Sequence, residues 1–70
     1  MKPKYRQTVG ELLNYYRSQG YNNFNLIIYI NDNIVYNGYL ECYSGVASGY
    51  DVQEFFCYRQ YKEIRIYVAG

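Results

Sequence analysis

The sequence predicts an α+β protein of order α-β-β-α-β. The expected architecture is a three-stranded antiparallel sheet, strand order 2-1-3, with two helices on one face. Three observations lead there. The segment "TVGELLNYYRSQG" has the cap, the periodicity and the stop of an amphipathic helix. "FNLIIYIN" and "KEIRIYV" alternate at the strand period of two. Asp51 and Glu54, followed by Phe55 and Phe56, read as a second capped helix.

In the first helix, expected over 9–19, Thr8 and Glu11 have the spacing of a capping box, in which each side chain satisfies a backbone N–H near the other. Val9, Leu12, Leu13 and Tyr16 fall on one face, and Gly20 is a suitable stop. Gly10 lowers helix propensity, at modest cost in a first turn. Strand 24–31 sends Phe24, Leu26, Ile28 and Ile30 one way and Ile27 and Tyr29 the other. Its two apolar faces suit a central strand. "NDN" at 31–33 is turn chemistry, because Asn and Asp tolerate positive φ. A second strand is expected over 34–43. Within it Asn37-Gly38 reads either as a hairpin turn or as a bulge or close approach in one long strand. "SGVASG" reads as a loop, and Val52, Phe55 and Phe56 as the buried stripe of the second helix. In the last strand Ile64, Ile66 and Val68 point inward, and Glu63, Arg65 and Tyr67 outward.

Seventy residues make one domain, with residues 1–7 as a flexible basic arm carrying Lys2, Lys4 and Arg6. A chain this short buries only roughly 60% of its unfolded surface, so added stabilisation from a staple or a partner is expected. Histidine is absent, and Cys42 and Cys57 lack metal-ligand spacing, so no metal or cofactor is expected. "KPKYRQT" is polar and lacks the apolar run of a secretory signal. Both cysteines are therefore expected reduced, Cys42 as a small core residue, in a cytoplasmic protein. No apolar run is long enough to cross a membrane as a helix. Without histidine neither thiol has its usual activating base, and "GVASG" lacks the Lys-Ser/Thr of a phosphate loop. An enzyme is not expected.

Twelve of the residues are tyrosine, and several crowd the strands. The face left uncovered is expected to hold Ile27, Tyr29, Val35, Tyr39, Tyr43 and Tyr67. Tyrosine joins a large apolar ring to a wet hydroxyl, which suits a surface that is soluble alone and buried in a complex. Cross-strand packing alone also favours it. Ile27, Tyr29, Tyr39, Tyr43, Arg65 and Tyr67 are accordingly the interface candidates, for self-association or for a larger host protein. The alternative is single-stranded nucleic acid, whose bases could stack on Tyr29, Tyr39 and Tyr67 while Arg65 and the arm meet phosphates. A net charge of +1 gives that reading little electrostatic support.

"TVGELL", the hairpin with "IVYNG", the acidic-capped segment and "IRIYV" together resemble small uncharacterised α+β proteins of bacterial prophages and mobile elements. The resemblance spans most of the chain and implies no catalytic residues. It implies an accessory protein that acts by binding, with inhibitors of host defence as one such class.

Overall fold

A computed structural model describes residues 7–69. The elements are α1 (Val9–Ser18), β1 (Asn25–Ile30), β2 (Asn33–Tyr39), β3 (Val52–Tyr58) and β4 (Glu63–Val68), with single 3₁₀ turns at Leu40–Cys42 and Arg59–Tyr61. The strands form one mixed sheet of order β2-β1-β4-β3. β1 and β2 are an antiparallel hairpin, β3 and β4 another, and the two inner strands β1 and β4 run parallel. The expected three-stranded antiparallel sheet with two helices is thus corrected, among the described residues, to four strands and one α-helix. The basic arm expected over 1–7 lies outside the described residues, except Gln7.

α1 follows its sequence signals closely. The capping box forms in both directions: Thr8 N–H donates to Glu11 Oε1 at 3.0 Å, and Glu11 N–H donates to Thr8 Oγ1 at 3.2 Å. The two remaining first-turn donors are met from outside the helix. Val9 N–H donates to Tyr50 O and Gly10 N–H to Ser48 O, both at 2.9 Å. Every N–H that a helix start leaves without an internal acceptor is therefore satisfied. At the other end Gly20 takes φ +86°, and Gly20 and Tyr21 N–H groups donate back to Arg17 O and Tyr16 O. This is a Schellman stop, completed by Tyr21 and Tyr16 rings 5.2 Å apart.

The β1–β2 turn places Asn31 at φ 50° and Asp32 at φ 69°, the two positive values that a tight primed hairpin turn needs. β2 runs straight through Asn37-Gly38 and bulges instead beside Ile28/Tyr29, where Val35 is the extra residue. Gly38 is a close approach: a Cβ there would lie 3.1 Å from the Tyr36 hydroxyl, which donates to Tyr39 O at 2.9 Å. β2 ends at Tyr39, short of the expected 43, and Leu40 turns into the core. Cys42 follows in the 3₁₀ turn and is exposed, not the core residue expected; Cys57 is half-buried, and both thiols are free.

From β2 to β3 the chain crosses from one sheet edge to the other. Residues 40–51 make this passage on the α1 side, burying Leu40 and Tyr43 with the helix against Leu26, Ile28, Ile64, Ile66 and Val68. Arg17 fastens the start of the crossover, donating to Tyr43 O at 2.7 Å and Leu40 O at 3.3 Å with its guanidinium over the Tyr43 ring. Ser48 and Tyr50 fasten its end to the helix start. Gly10 therefore earns its place: a Cβ there would meet Ser48 O at 3.2 Å and Ser48 Cβ at 3.3 Å.

The segment expected as a second helix is β3, for two physical reasons. Asp51 does not cap; it bridges Thr8, beside a Val52 N–H to Gln7 O bond of 2.8 Å. A bulge between Val52 and Glu54 then adds a residue, so Val52 and Phe55 face the same side three apart, a spacing that imitates a helix. With β3 extended, β3 and β4 form a hairpin, and β4 returns parallel to β1 instead of antiparallel.

Gly10→Val should push the crossover off the helix start and destabilise the protein by about 1–3 kcal/mol. Gly49→Ala, where added bulk meets nothing within 4 Å, should stay within ~0.5 kcal/mol of the parent. Urea melts of both variants read this directly, and equal midpoints would show that the crossover is not clamped there. Alkylation without reductant should find both thiols free, with Cys42 modified faster than Cys57 in the native protein; an intact bridge seen by mass spectrometry would contradict the placement.

Burial is the main cause that pushes the Tyr16 hydroxyl up to about 12, and it also raises Tyr36 and Tyr43. A phenol with a raised folded pKa holds its proton more tightly in the native state. Its contribution is complete below the unfolded value near 10 and is lost as pH climbs through the folded value. Thermal stability should therefore fall from pH 10 towards 12, and Tyr16→Phe should flatten part of that decline.

Candidate functional site

Because α1 and the crossover lie on the same side, the opposite face of the sheet has no covering layer among the described residues. Strand alternation decides what stands there. In β1 it presents Asn25, Ile27 and Tyr29; in β4, Glu63, Arg65 and Tyr67, which pair with them in register. β2 adds Ile34, Asn37 and Tyr39, and β3 adds Glu54, Phe56 and Tyr58.

The centre of this face is aromatic. Tyr29 and Tyr67 are parallel neighbours and stack with ring centroids 4.6 Å apart and planes 7° from parallel. Phe56 meets Tyr67 edge-on at 5.9 Å and lies 6.2 Å from Tyr58. Such contacts contribute roughly 0.5–1.5 kcal/mol each beyond simple burial, so the rings are held in fixed positions even without a covering layer. Ile27 is half-buried among them, while Ile34, at 54% exposure, carries the apolar surface out to the β2 edge.

The charge on the face is internally balanced. Arg65 bonds the Glu63 carboxylate through Nε, and that bond is the first cause holding the guanidinium above its ordinary pKa. The same guanidinium lies 5.8 Å from the Tyr58 ring centroid, in cation–π range. Glu54 lies opposite Tyr67. Among the described residues no group of three or more His, Cys, Asp or Glu side chains gathers as metal ligands would, and no helix is long and apolar enough to cross a membrane.

Of the residues singled out in the sequence, Ile27, Tyr29, Arg65 and Tyr67 meet in the middle of the face, and Tyr39 stands exposed at its β2 margin. Tyr43 does not belong with them. It is 8% exposed, on the helix side, where its hydroxyl donates to Val46 O at 2.6 Å. Its displacement follows from the early end of β2 at Tyr39, since alternation counted to 43 no longer applies. Val35 is the bulged residue and holds no regular place in the face. Phe56 and Tyr58 were missed because the helical reading of β3 turned Phe56 inward. The alternation Glu54-Phe56-Tyr58 against Phe55-Cys57, in a run rich in aromatic residues, is the signal that marks them.

Comparison of the chain with protein-family models, curated proteins and solved structures found no match.

Proposed function

We propose that this protein is a non-enzymatic interaction module that binds another protein through the open face of its sheet. The observation that carries the reading is the aromatic centre of that face, the Tyr29–Tyr67 stack extended by Phe56 and framed by Ile27 and Ile34. Aromatic residues held rigidly in a plane lose little freedom on binding, and such residues supply most of the energy at protein interfaces. The hydroxyls keep the face wettable until a partner covers it. The resemblance to prophage and mobile-element proteins adds a setting, an accessory protein that inhibits a host protein by occupying its surface.

Single-stranded nucleic acid is the competing occupant, since the Tyr29–Tyr67 pair could serve as a stacking platform. The electrostatics favour protein. Arg65 is the basic residue of the face among the described residues, and Glu63 compensates it, with Glu54 adding negative charge. Phosphate binding draws on uncompensated cations, which the described residues of this surface do not offer.

Two variants test the reading. Tyr67→Ser with Tyr29→Ser removes the stack, and Ile34→Lys puts a charge at an exposed margin without touching the core. Each should keep a native fold by circular dichroism. Both should weaken capture of a partner from the encoding organism, or self-association in sedimentation, by tenfold or more, about 1.4 kcal/mol. Unchanged binding by both variants would sink the assignment. Fluorescence anisotropy with single-stranded DNA at physiological salt should stay flat; micromolar, tyrosine-dependent binding would transfer the face to nucleic acid.

A further inference from the structure

A second feature stands apart from the stacked centre of the open face. Between the C-terminal half of α1 and the β3–β4 corner lies a cleft of ≈ 600 Å³. That is within the range of small-ligand sites, roughly 300–1,000 Å³. Its walls are phenol rings: Tyr15 and Tyr16 from the helix, Tyr21 from the Schellman stop, and Tyr61 from the 3₁₀ turn. Tyr15 at 55% and Tyr61 at 70% exposure are among the most open rings of the protein. Neither ring is needed by the core.

The cleft also has a cation. Arg59 Nε donates to the Tyr21 hydroxyl at 3.1 Å, which orients the guanidinium while its terminal amino groups donate to no acceptor among the described residues. Among the described residues no carboxylate lines the cleft. Glu63 is occupied by Arg65, and Glu11 by the cap of α1. Burial holds the Tyr16 phenol neutral far above physiological pH, so that wall residue brings no negative charge. An oriented, uncompensated guanidinium within a ring-walled cleft matches one chemistry: a flat aromatic group for the tyrosines and an anion for the arginine.

We propose that this cleft is a binding site for an aromatic anion, an aryl ring bearing a phosphate or carboxylate, with the ring against Tyr15 and Tyr61 and the anionic group on Arg59. The ligand is a free small molecule or the modified side chain of a peptide, and the two share this chemistry. Tyr58 borders both the cleft and the open sheet face, but the proposed contacts Tyr15, Arg59 and Tyr61 are separate from the Tyr29–Tyr67 centre, so the two sites are tested independently.

The test is an NMR titration of the ¹⁵N-labelled protein with phenyl phosphate, with phenol and inorganic phosphate as ring-only and charge-only probes. Phenyl phosphate should bind saturably with a Kd on the order of 100 μM, as its small size allows. The shifts should centre on Tyr15, Arg59 and Tyr61 and spare Tyr29 and Tyr67. Each half-probe should bind at least about tenfold more weakly. Arg59→Gln should weaken phenyl phosphate about 10- to 100-fold, the range for a charge-assisted hydrogen bond, while leaving the spectrum dispersed. Tyr61→Ala, at a position 70% exposed, should also weaken it. A pentapeptide centred on phosphotyrosine identifies the source: tighter binding than phenyl phosphate assigns a protein side chain, equal or weaker binding assigns a free small molecule, and either keeps the site. No saturable shift at millimolar phenyl phosphate would overturn the proposal. So would unchanged affinity in both variants, or shifts confined to the open sheet face.

Discussion

The architecture depends on how the first turn of α1 meets its hydrogen-bond demand. A helix start exposes N–H groups that need acceptors, and here the cap supplies part and the crossover supplies the rest through Ser48 and Tyr50 carbonyls. That bond pair holds the end of a long connection on the helix side of the sheet. Arg17 holds the start of the same connection to the other end of the helix. Helix and crossover thereby become one covering layer, and the small core forms beneath it around Leu26, Ile28, Ile64 and Ile66.

Among the described residues, one covering layer for a four-stranded sheet leaves the other face to be stabilised by its own side chains. The tyrosine content follows from this. Stacked and edge-on rings supply cohesion that aliphatic residues would supply only under a second layer, and their hydroxyls tolerate water. The Glu63–Arg65 pair plays a matching role, keeping charge on the face while cancelling its field. Cohesion and solubility are thus met by the same residues that suit a partner's approach.

The parts legible in the sequence were those in which local pattern and tertiary context agree. The Thr8–Glu11 box, the Gly20 stop, the Asn31-Asp32 turn and the alternation of Ile64, Ile66 and Val68 each leave a short-range signature that the fold keeps. The failures cluster at bulges. One extra residue at Gln53 converted strand spacing into helical spacing, and Asp51-x-x-Glu54 completed the imitation of a cap. That single reading cost a strand, the parallel pairing of β4 and the recognition of Phe56 and Tyr58 in the open face. Tyr43 was lost differently, by counting alternation past Tyr39, where the chain had already left the sheet. The cleft at Arg59 was not legible at all, because it is assembled from α1 and the β3–β4 corner, far apart in the chain.

The parallel seam between β1 and β4 has a consequence for how the chain acquires its shape. Each outer strand pairs with its neighbour through a short connection, so two local hairpins account for both ends of the sheet. The seam pairs Leu26 with Ile64 and Ile28 with Ile66, and it is the long-range step that turns two hairpins into one protein. Isolated hairpins are marginal in water, and loop closure must be met before distant contacts reward it. Neither hairpin is therefore stable before the β1–β4 seam joins them, and pairing across the seam is coupled to their formation. The crossover, joined at both ends to α1, shortens the search by delivering the second hairpin to the first.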